Sequence, residues 1–381
     1  MPLVSVVRFL LSLVSLAFLA GGVALLVDWG RDDVVRGVTD FWDDRHDWRL
    51  WAGVGLLALW GFGRAPVLFL IARPSREDDH FERGEAQAVR APDGGALAVE
   101  IDGQAGAPTI ILTHGQGLDR SVWAPIRDRL ADRFRVLIWD LPGLGESDRP
   151  SDRDHGVEAA ADALAALIEA VDARDCVLVG HSFGGMATQE LAKRRPDLLE
   201  SRVVGVALLH TTFQNPLRTM IASKLALALR HPVLEPGSRL TAWLEPLAWA
   251  NAWQSHFSGA AHLANRLQCD GSVTRRQLDH VALVGVRNPP GAVERRNLGM
   301  YRWQGLDGAA LTVPTLVVAG GADIVTKAEA GRTIAGALPN ARLEIVPDAN
   351  HLGPFERPET YAGLIAAFAE DVAERRGRSG R

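Results

Sequence analysis

Cysteine, lysine and tyrosine are scarce in this chain of 381 residues, and an excess of positive charge is missing. Two cysteines, Cys176 and Cys269, cannot build a disulfide framework. No spacing of cysteine and histidine suggests a zinc site. Cys176 falls in an apolar run and reads as a small buried hydrophobe. Lysine supplies three of the 41 basic residues, which reads as a bias of the coding sequence and not as a binding device. A formal net charge of -5 gives no reason to expect nucleic acid as a partner. Apolar residues are plentiful at 47%, against 23% charged, a globular composition with length for one large or two ordinary domains.

The first 72 residues are far more apolar than the rest. Phe9 to Val27 is a charge-free run of nineteen residues, preceded by Arg8 and followed by Asp28, and is long enough to cross a bilayer as a helix. The alternative is a cleaved signal peptide, whose apolar core is usually shorter, so the run is read as a retained helix. A second apolar segment, Leu50 to Ala72, would bring the chain back, with Arg64 and Pro66 interrupting it. The loop between them carries seven aspartates and four arginines, and Trp29, Trp48 and Trp51 fall where an interfacial belt would lie. A buried helical pair is the competing structure. A hairpin puts the rest of the chain on the side of the amino terminus, and Arg8 before the first run favours the cytoplasmic side.

From about Phe81 short apolar runs alternate with longer amphipathic stretches. Ala96–Ile101, Thr109–Leu112, Arg135–Trp139, Cys176–Val179, Val203–Leu208, Pro314–Ala319 and Leu343–Val346 read as strands, and Trp123–Ala131, Val157–Val171 and Met186–Arg195 as helices. Such alternation implies a mostly parallel sheet covered on both faces, with sites at the carboxyl ends of the strands.

Chemistry-bearing motifs fall at those ends. Gly180-His181-Ser182-Phe183-Gly184 stands between a strand and a helix, where two glycines permit a sharp turn that presents a serine. Thr113-His114-Gly115-Gln116-Gly117 follows an earlier strand, and the backbone N–H groups of Gln116 and Phe183 would converge on an oxyanion, each worth roughly 3 to 4 kcal/mol in the transition state. His351 on one strand-end loop would take the proton of Ser182, while Asp323 on another holds the imidazole. Asp348 is the rival acid, read instead as capping its own loop. The segment Asp140-Leu141-Pro142-Gly143-Leu144-Gly145-Glu146-Ser147-Asp148 is assigned to architecture. Of the eleven histidines, most read as surface or helix residues.

Taken in order, His114-Gly115-Gln116-Gly117, the Asp140 to Ser147 segment, Gly180 to Gly185, Gly320-Gly321-Ala322-Asp323 and Asn350-His351 resemble the α/β-hydrolase family over residues 85–370. The resemblance implies an α/β fold with a mostly parallel eight-stranded sheet, helices on both faces, and a helical lid after the sixth strand. It implies hydrolysis without a cofactor or metal. The expected division is an anchor at 1–80, with helices at 9–27 and 50–72, a hydrolase core at 81–210 and 312–381, and a lid at 211–311. Family members with an aspartate nucleophile are disfavoured because Ser182 holds that position.

Trp243, Leu244, Leu247, Trp249 and Trp253 are expected on one lid helix, either facing a long acyl chain or packed as core. The leading function is a membrane-anchored serine hydrolase cleaving a lipid or acylglycerol ester through an acyl-serine. Carbon–carbon bond hydrolysis, peroxidase-like chemistry and a non-catalytic membrane scaffold are the alternatives. Oligomeric state has no signature in the sequence.

Overall fold

A computed structural model describes residues 2–36, 46–77, 79–305 and 311–379. Residues 37–45 of the expected interhelical loop, and 306–310 near the end of the expected lid, lie outside the described residues.

The apolar runs become an eight-stranded sheet: β1 Gln87–Arg90, β2 Ala96–Asp102, β3 Thr109–Thr113, β4 Arg135–Trp139, β5 Cys176–His181, β6 Val203–Leu209, β7 Thr315–Gly320 and β8 Ala341–Val346. Their spatial order is β1-β2-β4-β3-β5-β6-β7-β8, with β2 antiparallel to both its neighbours and the remaining pairs parallel. Strand β1 is absent from the sequence reading. It is an edge strand of four residues, largely exposed, with neither an apolar run nor alternation to reveal it.

Period-two alternation along the strands builds two cores. Ile111, Leu137, Trp139, Leu178, Val206 and Leu208 face one layer, and Ile110, Leu112, Val136, Ile138, Val179 and Leu209 the other. The amino-terminal helices are α1 Pro2–Arg36, α2 Trp48–Phe62 and α3 Arg64–Ile71, and α4 Ala124–Leu130 follows β3. Then come α5 Val157–Ala170, α6 Phe183–Arg194 and α7 Pro196–Arg202. Helices α5 to α7 cover the first face, and α4 lies on the second. Between β6 and β7 the chain inserts α8 Ser223–Leu229, α9 Glu235–Trp243, α10 Glu245–Phe257, α11 Ala260–Arg266, α12 Arg275–Arg287 and α13 Pro290–Arg302. After β7 come α14 Ala328–Ala337, the short α15 Gly353–Glu356 and α16 Pro358–Ser379, whose Tyr361, Ile365 and Phe368 complete the second core.

Helix α1 carries one span, Leu10–Asp32, that is long and apolar enough to cross a membrane. It packs antiparallel on α2. A Cβ on Gly53 would lie 3.1 Å from the Gly22 carbonyl oxygen, so these backbones meet where neither residue has a side chain. The second apolar segment is not one straight helix: α2 and α3 diverge by 72° at Gly63. Pro66 has no N–H to continue the α2 ladder, and Arg64 turns its guanidinium to Asp279 of α12 at 2.5 Å. The tryptophan-rich stretch is likewise two helices. Trp243 ends α9, and Leu244 (φ -90°, ψ 33°) breaks the chain before α10.

Candidate active site

Ser182 occupies the corner between β5 and α6 with φ 53° and ψ -114°. A non-glycine residue held there costs on the order of 1–3 kcal/mol. Two bonds hold the corner: Ser182 N–H donates to the Leu209 carbonyl at 3.0 Å, and Thr211 Oγ1 donates to the Ser182 carbonyl at 2.7 Å. Glycine is required at the turn because a Cβ at Gly180 would come within 2.6 Å of the Gly184 backbone.

The predicted partners converge on this serine from separate loops. His351 Nε2 lies 3.0 Å from Ser182 Oγ, and His351 Nδ1 lies 3.0 Å from Asp323 Oδ2. Asp323, in the loop after β7, is itself tightly held. Its Oδ1 accepts from the N–H groups of Val325 (2.7 Å) and Thr326 (2.9 Å), and its Oδ2 from the Thr326 hydroxyl (2.8 Å). Burial alone would push this carboxyl up, but His351 and His210 overcome it and hold the group well below the usual carboxylate range. Asn350 ties the histidine loop, accepting from His351 N–H at 2.8 Å and Ile324 N–H at 3.2 Å. Asp348, expected to cap that loop, is exposed, and its carboxylate accepts no hydrogen bond among the described residues. Asp140 is buried far from this role, taking Arg120 N–H at 2.7 Å and Arg120 Nη1 at 2.5 Å.

Gln116 and Phe183 both border the serine. A side chain at Gly115 would strike His181 Nδ1 at 2.8 Å and Ser182 Cβ at 3.2 Å, so glycine brings the Gln116 backbone close. The Gln116 amide is pinned from α13, donating to the Val293 carbonyl at 2.7 Å and to Asn297 Oδ1 at 3.1 Å. Phe183 opens α6, whose first N–H groups have no partner within the helix. Neither the Gln116 nor the Phe183 N–H finds an acceptor among the described residues.

A cavity of about 90 Å³ lies over the serine, walled by Gln116, Ala261, Asn265, Gln268, Val281 and Glu294 among others. On the other side of Ser182 a smaller one of about 20 Å³ is lined by Met186, Leu217, Met220, Met300 and Val325. The aromatic insertion divides its roles: Trp249 donates to the Val286 carbonyl at 2.7 Å and packs with Trp253 on Ala252, Ala282 and Val286, whereas Trp243 is exposed.

The sequence reading missed His210, whose Nδ1 lies 2.9 Å from the same Asp323 Oδ2 and whose Nε2 lies 2.6 Å from Tyr361 Oη. The signal was present, since His210 directly follows strand β6. Six of the eleven histidines are exposed or on helices, as expected, and the remainder gather in the interior. His114, His181, His210 and His351 are all buried around the serine. Burial pushes His114 down to about 4 and His181 well below its ordinary value, aided for His181 by the neighbouring His351 and His210. Arg296 was missed too. Its guanidinium sits 4.8 Å from the Phe183 ring, donates to the Pro142 carbonyl at 2.6 Å, and is pushed down to about 9 by burial.

Two groups of described residues bring metal-ligating atoms within 4.8 Å of one another, His210–Asp323–His351 and His256–His262–Asp279. In each the carboxylate is already engaged, the first by both histidines and the second by His262 at 2.9 Å and Arg64.

A mostly parallel sheet with a serine, a histidine and an aspartate hydrogen-bonded in series at its carboxyl edge defines a class of hydrolases. The chain belongs to the alpha/beta hydrolase family, whose model matches residues 110–364. It is 26% identical over 266 residues to the putative carbamate hydrolase RutD of Pseudomonas syringae pv. syringae, covering 69% of this chain and 94% of that protein. A thermophilic esterase from Thermogutta terrifontis superposes with a TM-score of 0.60 at 26% identity, over 76% of this chain and 99% of the esterase. A bromoperoxidase from Bacillus anthracis gives the same TM-score at 16% identity, over 75% and 99%, a likeness of fold alone.

Proposed function

We propose that this hydrolase is a membrane-anchored serine esterase acting on lipid or acylglycerol esters through an acyl-serine intermediate. The observation that carries the reading is the series Ser182 Oγ, His351 Nε2, His351 Nδ1 and Asp323 Oδ2, each link 3.0 Å long. Ser182 Oγ attacks the ester carbonyl carbon as His351 Nε2 takes its proton, and Asp323 stabilises the imidazolium. The tetrahedral oxyanion accepts hydrogen bonds from the N–H groups of Gln116 and Phe183. Collapse breaks the bond to the alcohol, which leaves with the proton from His351. Water then gives a proton to His351 and attacks the acyl-serine, releasing the carboxylic acid and restoring Ser182.

The unequal cavities support the substrate class. Met186, Leu217, Met220 and Met300 line the smaller cavity with apolar surface suited to an acyl chain, which the cavity of about 20 Å³ must widen to admit. Gln116, Asn265, Gln268 and Glu294, set among apolar residues in the larger one, offer hydrogen bonds to an alcohol such as glycerol. The apolar span of α1 supports the anchor. Arg8 before that run supports a cytoplasmic catalytic part. The esterase likeness at 26% identity supports carboxylic esters.

A fluorophosphonate probe tests the chemistry: it should label wild-type protein at Ser182 and leave Ser182→Ala unlabelled. Folded wild-type protein that stays unlabelled at every pH overturns the serine mechanism. Turnover of an acyl-chain series tests the substrate, since a response flat in chain length removes the lipid assignment and leaves the esterase.

A further inference from the structure

We propose that the outer face of α9 and α10 lies in the bilayer interface beside α1, in the leaflet that receives the amino-terminal end of α1. The proposal rests on α1 crossing the membrane, as in the function above, and goes beyond it by assigning a second lipid contact.

Depth is set by side-chain pairs along α1. Asp28 and Asp32 bind Arg49 of α2 at 2.8 and 2.7 Å and mark the far end of the charge-free run that begins at Phe9. Near the other end, Asn251 donates to Ser12 Oγ at 3.2 Å and Gln254 to Ser15 Oγ at 2.5 Å. Gln254 also reaches the Trp60 carbonyl of α2 at 3.4 Å. Ser12 and Ser15 lie three and six residues inside the run, roughly 5 and 9 Å below its start at 1.5 Å per residue. These pairs place the middle of α10 about 5–10 Å below the start of the run, in the headgroup and acyl boundary, with the first residues of α10 toward the surface.

The composition of α10 fits that position. From Pro246 to Phe257 it has no Asp, Glu, Lys or Arg, and the one carboxylate at its start, Glu245, is turned to Arg149 at 2.9 Å. Its large apolar side chains remain uncovered: Leu247 is 66% exposed and Phe257 49%, and Trp243 at the end of α9 is 78% exposed. Leu247, Asn251 and Gln254 share one stripe by helical spacing, so Leu247 continues the line of contact with α1 toward the start of its apolar run. This apolar surface stands on a helix hydrogen-bonded to the anchor, which is why the bilayer is its occupant.

The position also bears on access to the serine. Helix α11 packs against α1 on one side, and on the other its Ala261 and Asn265 line the cavity over Ser182. One helix therefore separates the anchor from the cavity over the serine, so that a bilayer ester lies close to that cavity.

Cysteine scanning of the full chain in phosphatidylcholine–phosphatidylglycerol vesicles tests this. Cys176 and Cys269 are buried, so introduced thiols are the ones labelled. A bimane probe is placed in Trp243→Cys and Leu247→Cys, in Leu16→Cys on α1, and in Arg332→Cys on α14. Nitroxide-labelled phospholipid should quench the probes at 243, 247 and 16 about twofold or more and leave 332 unchanged, with aqueous iodide giving the reverse order. Quenching at 16 but not at 243 and 247, with iodide reaching the latter, overturns the proposal and leaves the anchor standing. Absence of lipid quenching at 16 overturns the anchor and the proposal together. Shielding of 243 and 247 from both quenchers assigns the face to a second copy of the chain, which also overturns it.

Discussion

Around Ser182 the molecule is held by polar bonds in a dry place, whereas the amino-terminal hairpin and the insertion beside it are held by close backbone packing and a few amides. The Asp323 carboxylate alone meets five groups: the N–H groups of Val325 and Thr326, the Thr326 hydroxyl, His351 and His210. In the hairpin, Gly22 and Gly53 let α1 and α2 touch, and large apolar side chains remain uncovered. The first region defines geometry to tenths of an ångström, which bond-making requires. The second, in the proposed function, sets where the catalytic part sits relative to the bilayer. Changes in the two should therefore move different observables.

The largest effect is expected at the serine. Ser182→Ala should lower kcat/KM toward a soluble short-chain ester by about 10⁴-fold or more while the thermal midpoint holds, because it removes only the hydroxyl proposed as nucleophile. Asp323→Asn should cost about 10³- to 10⁴-fold in kcat, because the amide presents a donor where His351 needs an acceptor. His210 is a positioning residue. His210→Asn, which tolerates its φ of 47°, should lower kcat about tenfold with KM little changed, as Asp323 loses one of its supports. A large change in KM instead would place His210 against substrate.

The hairpin should respond on other readouts. Gly53→Leu forces a side chain against Leu26 and the Gly22 carbonyl, and should lower turnover of vesicle-embedded ester about fivefold with turnover of the soluble ester unchanged. Equal losses on both substrates would erase the distinction between the regions. A separate effect is on stability with pH. His114 is buried neutral, with its folded value down at about 4 against about 6.5 unfolded. Its contribution is fully present above pH 6.5 and is lost as pH falls toward 4, on the order of 3 kcal/mol in all, so the thermal midpoint should drop across that window. His114→Gln should remove its share of the drop and leave the shares of the other histidines that burial lowers, His155, His256 and His280 among them.

The strands were legible because each is an apolar run with turn residues after it, and the corner at Ser182 because glycines flank it at the required distance. Edge strand β1 was not, since a residue paired on one side and wet on the other needs no apolar pattern. The bend at Gly63 had a local sign in Arg64 and Pro66, but its 72° depends on Asp279 of a distant helix. The tryptophans of the insertion looked alike in sequence. Trp249 acquires a carbonyl partner from α12 and becomes core, while Trp243 has no hydrogen-bond partner among the described residues and stays exposed.

By itself the sequence determined the alternating parallel architecture, the apolar span of α1, and the loops from which Ser182, Asp323 and His351 come, because hydrophobic period and turn chemistry act over a few residues. Only the tertiary structure decided that His210 shares Asp323, that Asn350 and not Asp348 ties the histidine loop, and that α10 lies along the apolar span of α1. These depend on distances between residues far apart in the chain, which local patterns do not encode.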